Sequence, residues 1–217
     1  YRDIYVNNKR YISFPIQIAE FLIKDEIIFP DIKNGIDENV PLGEPVDMGS
    51  EETVRTLYDY QYEIVTNIIN YFEPRDYARI YIEIDPGAGK TAMVHAVAVY
   101  FGIPYIYIVP TKYLQDQTVR EFNEMYPQLE GQCIAYSNTL DKRKNLILGD
   151  YRCFVVIINT ACGKDEDFFK DAGLIIYDEV HVYGTENRTD ILWRCAGVKY
   201  QIGLSATPKG GDNELGK

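Results

Sequence analysis

Several things are scarce in this sequence of 217 residues. No apolar run approaches the roughly 18 to 20 residues that a bilayer crossing needs, so no membrane helix is expected. The chain opens on Tyr1, with no basic segment followed by an apolar one, so nothing reads as a secretory signal and the chain could be a fragment or a processed product. Histidine is limited to His95 and His181, and the four cysteines (Cys133, Cys153, Cys162, Cys195) form no C-x-x-C pair. That spacing argues against a zinc site and for reduced core thiols, which suits an intracellular compartment, whether nuclear, cytoplasmic or viral. Basic residues are in deficit, 22 against 33 acidic, for a net charge of −11. A surface that attracts polyanions generally is excluded, and any nucleic-acid site must be local.

What is present is a globular composition, 46% hydrophobic and 25% charged, long enough for one large domain or somewhat more. Ile4-Tyr5-Val6, Asn7-Asn8 and Tyr11 to Phe14 suggest a hairpin. Residues 29 to 53 are rich in Pro, Gly, Asp, Glu and Asn and read as a connector, which places a small extension at 1–53 and the main domain at 54–217. In Thr56 to Phe72, Leu57, Tyr60, Ile64 and Ile68 fall near helical spacing and predict an amphipathic helix with those residues inward. Apolar β-rich runs recur at 80–84, 104–109, 132–136, 153–158, 174–177 and 201–204, most of them separated by helix-like segments. Continuous apolar strands alternating with helices predict an α/β fold, a doubly wound parallel sheet.

Asp85-Pro86-Gly87-Ala88-Gly89-Lys90-Thr91 lies between the first of these strands and a helix-forming stretch at Ala92 to Tyr100. Gly87, Ala88 and Gly89 can curl their N–H groups around an anion at the helix N-terminus, where the dipole also favours negative charge. Lys90 is placed to reach β- and γ-phosphates, and Thr91 to offer its hydroxyl to Mg²⁺. Where the full G-x-x-x-x-G-K-[ST] pattern has its first glycine, this chain has Ile84. A second apolar strand ends in Asp178-Glu179-Val180-His181. In phosphate-loop NTPases an acidic residue at such a strand end holds Mg²⁺ opposite the loop hydroxyl. Asp178 is the candidate for that task, and Glu179 for orienting and deprotonating the attacking water.

Asp178-Glu179-Val180-His181 resembles the DExH box of superfamily 2 helicases, and Gly203 to Pro208 is similar to their Ser-Ala-Thr motif, in the same order and at similar spacing. Leu57-Tyr58-Asp59-Tyr60-Gln61 resembles the upstream segment that reads adenine, with Gln61 as the matching glutamine and Tyr58 where the family often has arginine. The stretch from Ile108 to Leu114, with Thr111 and Lys112, and Val156 to Thr160 resemble motifs that contact nucleic-acid phosphates, although Thr111 and Thr160 fit equally well as helix caps. The resemblance covers roughly Leu57 to Pro208 and is strongest to the branch of DNA-repair and transcription translocases with relatives in large DNA viruses. It implies a RecA-like first motor domain using ATP and Mg²⁺, with Lys90, Asp178, Glu179 and His181 in catalysis. It also implies that His181 links the nucleotide site to Ser205 and Thr207, which couple it to a second motor domain that supplies arginines to the γ-phosphate.

The function expected is an ATP-dependent DNA helicase or translocase, with 1–217 alone nearly inactive in hydrolysis. An RNA helicase, the motor subunit of a restriction-type nuclease and a nucleotide-dependent binding switch are the alternatives. Several other residues read as ordinary structure: His95 and Trp193 as packing, Tyr105 and Tyr107 as core, and Lys142-Arg143-Lys144 as a solvated helix face.

Overall fold

The computed structural model describes residues 2–6, 9–13, 57–84, 87–180 and 186–205, with the backbone alone for 2–13 and 186–189. Strands β1 (Arg2–Val6) and β2 (Lys9–Ser13) pair antiparallel as the expected hairpin. The proposed connector lies outside the described residues. Helix α1 (Asp59–Phe72) then leads into β3 (Ala78–Glu83), α2 (Lys90–Phe101), β4 (Tyr105–Val109) and α3 (Lys112–Met125). The remainder is β5 (Cys133–Ala135), α4 (Asn138–Lys144), β6 (Cys153–Ile157), α5 (Ile158–Cys162), β7 (Leu174–Tyr177), α6 (Glu186–Arg194) and β8 (Tyr200–Ser205).

Strands β3 to β8 form one parallel sheet in the order β3-β8-β7-β4-β6-β5. Parallel neighbours need crossovers, and the helices that supply them cover both faces. This is the RecA-like, doubly wound α/β fold expected of a helicase motor domain.

Two apolar cores follow from the alternation of side chains along each strand. On one face Tyr105, Tyr107, Val155, Ile176 and Leu204 pack with Val65, Phe72, Val94 and Phe122 of α1 to α3. On the other, Ile106, Ile108, Val156, Ile175 and Tyr177 pack with Ile158, Ala161, Ile191 and Cys195. Strands β4, β7 and β8 are buried along their whole length. Edge strand β3 is not: Tyr81 and Glu83 are exposed, so it reads as an alternating strand rather than a continuous apolar one.

Helix α1 corrects one expectation. Its inward line is Gln61, Val65, Ile68, Ile69 and Phe72, while Tyr60 is 46% exposed. Ile68 is buried and Leu57 and Ile64 pack against the core as expected, but Gln61, not Tyr60, takes the inward place in the first turn, as a polar tie described below. Trp193 is half-buried, and Ile191 of α6 and Cys195 just after it take the core positions. His95 does pack, fully buried, with its Nδ1 2.7 Å from the Tyr105 hydroxyl. Burial drives its pKa down to about 3, so the ring is neutral. All four cysteines are free thiols, Cys133, Cys153 and Cys195 buried and Cys162 half-buried. No helix among the described residues is long and apolar enough to cross a membrane.

Candidate nucleotide site

The C-terminal ends of β3, β8 and β7 lie side by side, and ligands in open α/β sheets bind beyond such ends. The glycine loop leaves β3, Ser205 ends β8, and Asp178 and Glu179 follow β7. Strand β8 lies between the other two, so Ser205, fully buried, sits between the loop and the carboxylates. It faces Glu83 across the register, and its carbonyl accepts from Ile84 N–H at 3.3 Å.

Within the loop, Gly87 (φ 82°) and Gly89 (φ 78°) adopt left-handed backbone, the conformation that glycine enters without steric cost. Gly89 has a second constraint, since a Cβ there would stand 2.2 Å from Gln61 Nε2. Gln61 in turn ties the loop to α1: its Nε2 donates to the Ala88 carbonyl at 2.9 Å, and its Oε1 accepts from Tyr58 N–H at 3.0 Å. Tyr60 adds a donor that sequence reading placed in the core, its hydroxyl reaching the same Ala88 carbonyl at 3.0 Å. Two donors on one carbonyl orient the peptide that leads into Gly89, and the next two residues, Lys90 and Thr91, open α2. Lys90 Nζ donates to the Ile84 carbonyl at 3.0 Å, bending back toward the end of β3.

After β7, Asp178 N–H donates to the Ile108 carbonyl at 2.9 Å, which extends the β4–β7 ladder by one residue and sets Asp178 at the C-terminal end of the strand. Burial pushes the Asp178 carboxyl up to about 6, helped by the charge of Glu179; the Glu179 N–H and Lys90 pull the other way. A carboxylate desolvated this far gains from a cation. Glu179 N–H donates to Asp178 Oδ1 at 3.1 Å, and Glu179 itself holds φ 49°, left-handed backbone that is costly for a residue with a Cβ. Val180 packs against Gly203 of β8, where a Cβ would meet its Cγ2 at 3.4 Å.

The residues present fit a magnesium nucleotide. The glycine loop offers N–H groups at a helix start, and Thr91 with Asp178 gives hard oxygen donors suited to Mg²⁺. The other proposed contacts are more scattered. Thr111 caps α3, its Oγ1 accepting from Leu114 N–H at 3.3 Å. Lys112 is exposed and paired with Asp116 at 2.7 Å. Thr160 is not a cap, contrary to one of its two readings: it lies inside α5, with Ile157 at the N-cap. Lys142, Arg143 and Lys144 lie exposed in the last turn of α4, as a solvated face does, where their charge favours the helix dipole. His181 and Thr207 lie outside the described residues.

QP509L of African swine fever virus (isolate Tick/Malawi/Lil 20-1/1983), named as an ATP-dependent RNA helicase, is 35% identical over 157 residues. That similarity covers 72% of this chain and 30% of the viral protein. L396 of Acanthamoeba polyphaga mimivirus, which carries the same kind of name, is 26% identical over 94% of this chain and 36% of its own length. The chain thus spans about a third of the curated relatives it matches. The fold is shared with the UvsW helicase of bacteriophage T4, at a TM-score of 0.59 and 20% identity over 88% of this chain and 69% of that one. The Sulfolobus solfataricus SWI2/SNF2 ATPase core in complex with dsDNA gives the same TM-score and identity over 77% of this chain and 34% of its own. Residues 55–210 match the family model described as the type III restriction enzyme, res subunit, and the chain belongs to that family of superfamily 2 helicase and ATPase domains.

Proposed function

We propose that this chain is the ATP-binding motor domain of an ATP-dependent translocase acting on nucleic acid, with DNA as its track. The observation that carries the reading is that the Gly87–Thr91 loop and Asp178 with Glu179 follow the ends of β3 and β7, the two strands that flank β8 and its buried Ser205. MgATP, when bound, supplies the phosphoanhydride whose hydrolysis drives movement. Gln61 reads the base edge and fixes the loop. Gly87, Ala88 and Gly89 donate backbone N–H groups to phosphate oxygens, and Lys90 leaves the Ile84 carbonyl to neutralise the β- and γ-phosphates. Thr91 and Asp178 face the metal, and Glu179 takes the proton of the attacking water.

Ser205, together with His181 and Thr207, passes the state of the nucleotide to a second motor domain in the complete protein, and residues 1–53 form an appended extension. Thr111, Lys112 and Thr160 touch the track at the C-terminal ends of β4 and β6. The Sulfolobus solfataricus ATPase core, in complex with dsDNA, supports DNA. A second reading, RNA, is supported by the names of the viral relatives. Both are tested by the ATPase rate of the complete protein with double-stranded DNA, single-stranded DNA and RNA added in turn. Stimulation by DNA alone is expected; stimulation by RNA alone establishes the second reading, and a rate indifferent to all three removes the motor assignment.

A further inference from the structure

Tyr107 lies at the centre of β4 with its side chain completely buried, and its hydroxyl has no hydrogen-bond partner. A buried hydroxyl left unpaired is costly, whereas phenylalanine fills the same space without the cost. Its surroundings are specific. Tyr105 and Tyr107 point from one face of β4 toward α2, where Thr91 and His95 stand four residues apart on one side of the helix. His95 bonds Tyr105 and packs its ring 5.5 Å from the ring of Tyr107. One turn earlier on the same side is Thr91. Across the sheet Tyr107 pairs with Ile176 of β7, and Asp178 is the next residue of that strand to point to the same face. Thr91 and Asp178 thus flank the buried hydroxyl, and Thr91 comes near it without forming a well-aligned hydrogen bond.

We propose that the Tyr107 hydroxyl is a positioning group behind the metal site, bridging Thr91 and Asp178 so that their outward oxygens face a divalent cation. The inference rests on the reading of Thr91 and Asp178 as metal-facing residues. When the Thr91 oxygen turns a lone pair to the metal, its hydrogen needs an acceptor, and the Tyr107 oxygen is placed to take it. The Tyr107 hydrogen is then donated to the inner oxygen of Asp178, which aims the carboxylate and fixes it in its ionised form.

The test titrates free Mg²⁺ against ATP binding, measured directly, for the wild-type protein, Tyr107→Phe and Thr91→Ala, alongside ATP affinity in EDTA and the melting temperature without nucleotide. Tyr107→Phe is expected to need about 10-fold more Mg²⁺ for half-maximal binding, the usual range for a group behind a metal ligand. Its EDTA affinity stays at the wild-type value and its nucleotide-free melting temperature does not fall. A Mg²⁺ midpoint equal to wild type overturns the inference, as does a matched fall in EDTA affinity and melting temperature, which marks a packing role. Wild-type binding indifferent to Mg²⁺, or a Thr91→Ala midpoint like wild type, overturns the site reading itself and this inference with it.

Discussion

Lys90 Nζ rests 3.0 Å from the carbonyl of Ile84, the residue in the place where the phosphate-loop pattern carries its first glycine. That position contributes a backbone oxygen, which any residue supplies, so isoleucine there leaves the ammonium a resting partner. Lys90→Ala loses this bond at a partly exposed site, at a stability cost of about 1 kcal/mol. Its effect on ligand is larger, because a charge-assisted contact to phosphate disappears. The expected outcome is a folded domain by circular dichroism with MgATP affinity reduced at least about 10-fold in a direct titration. Wild-type affinity in that titration overturns the assignment of the loop.

Gly89→Ala combines two penalties that Gly87→Ala does not share. Both glycines are left-handed, where a Cβ costs roughly 1–2 kcal/mol, but only at Gly89 does the new carbon collide with Gln61 Nε2. Gly87→Ala finds open space and should lose about that amount alone. Gly89→Ala must also break the Gln61–Ala88 bond, and chemical denaturation should show it to be the less stable of the two. Adding Gln61→Ala to Gly89→Ala removes the collision, so the double variant should recover part of the difference. No recovery argues that the tie between α1 and the loop carries no weight.

Much of this arrangement was legible because its parts sit in contiguous stretches. A strand that runs into Gly87–Thr91, and a strand that runs into Asp178–Glu179, announce both chemistry and position. The sheet order was not legible, since insertion of β8 between β3 and β7 depends on crossovers that no local pattern records. Tyr60 was misplaced for a definite reason. Its spacing from Ile64 and Ile68 suits an inward face, but its hydroxyl bonds the Ala88 carbonyl, 28 residues away, and Gln61 is the residue buried in that turn. Tyr107 was rightly expected in the core, and only the sheet register shows it opposite Ile176, two residues before Asp178.

The raised pKa of Asp178 has a signed consequence for stability. Between the ordinary value of 3.8 and about 6, the folded protein holds a proton there that the unfolded chain has released. Stability therefore falls as pH rises through that window, by about 3 kcal/mol at most from this group. Asp178→Asn should remove the effect: without nucleotide, the variant melts higher than wild type at pH 7.5 and similarly at pH 4. It should need more Mg²⁺ than wild type for half-maximal ATP binding. A variant that melts lower than wild type at pH 7.5 shows that the carboxylate is better satisfied in the free protein than its burial implies.

Glu179 offers the clearest separation of stability from activity. Its φ of 49° is one of two positive values among the described non-glycine residues, the other being Asn145 at the end of α4. Asparagine tolerates that conformation and is common where helices end. Glutamate has no such excuse, so its retention beside Asp178 points to a task for the side chain rather than the backbone. Glu179→Gln keeps the shape and the strain but cannot accept a proton, so it should fold with wild-type stability, bind MgATP and lose turnover by 10²- to 10⁴-fold. Glu179→Gly should relieve the backbone by roughly 1 kcal/mol, giving a protein that melts higher than wild type and is equally inactive. Denaturation curves and steady-state ATPase rates of the two variants in the complete protein decide the matter. Turnover by Glu179→Gln close to wild type removes the residue from the base role. A Glu179→Gly protein less stable than wild type shows that the side chain holds the fold as well as the water.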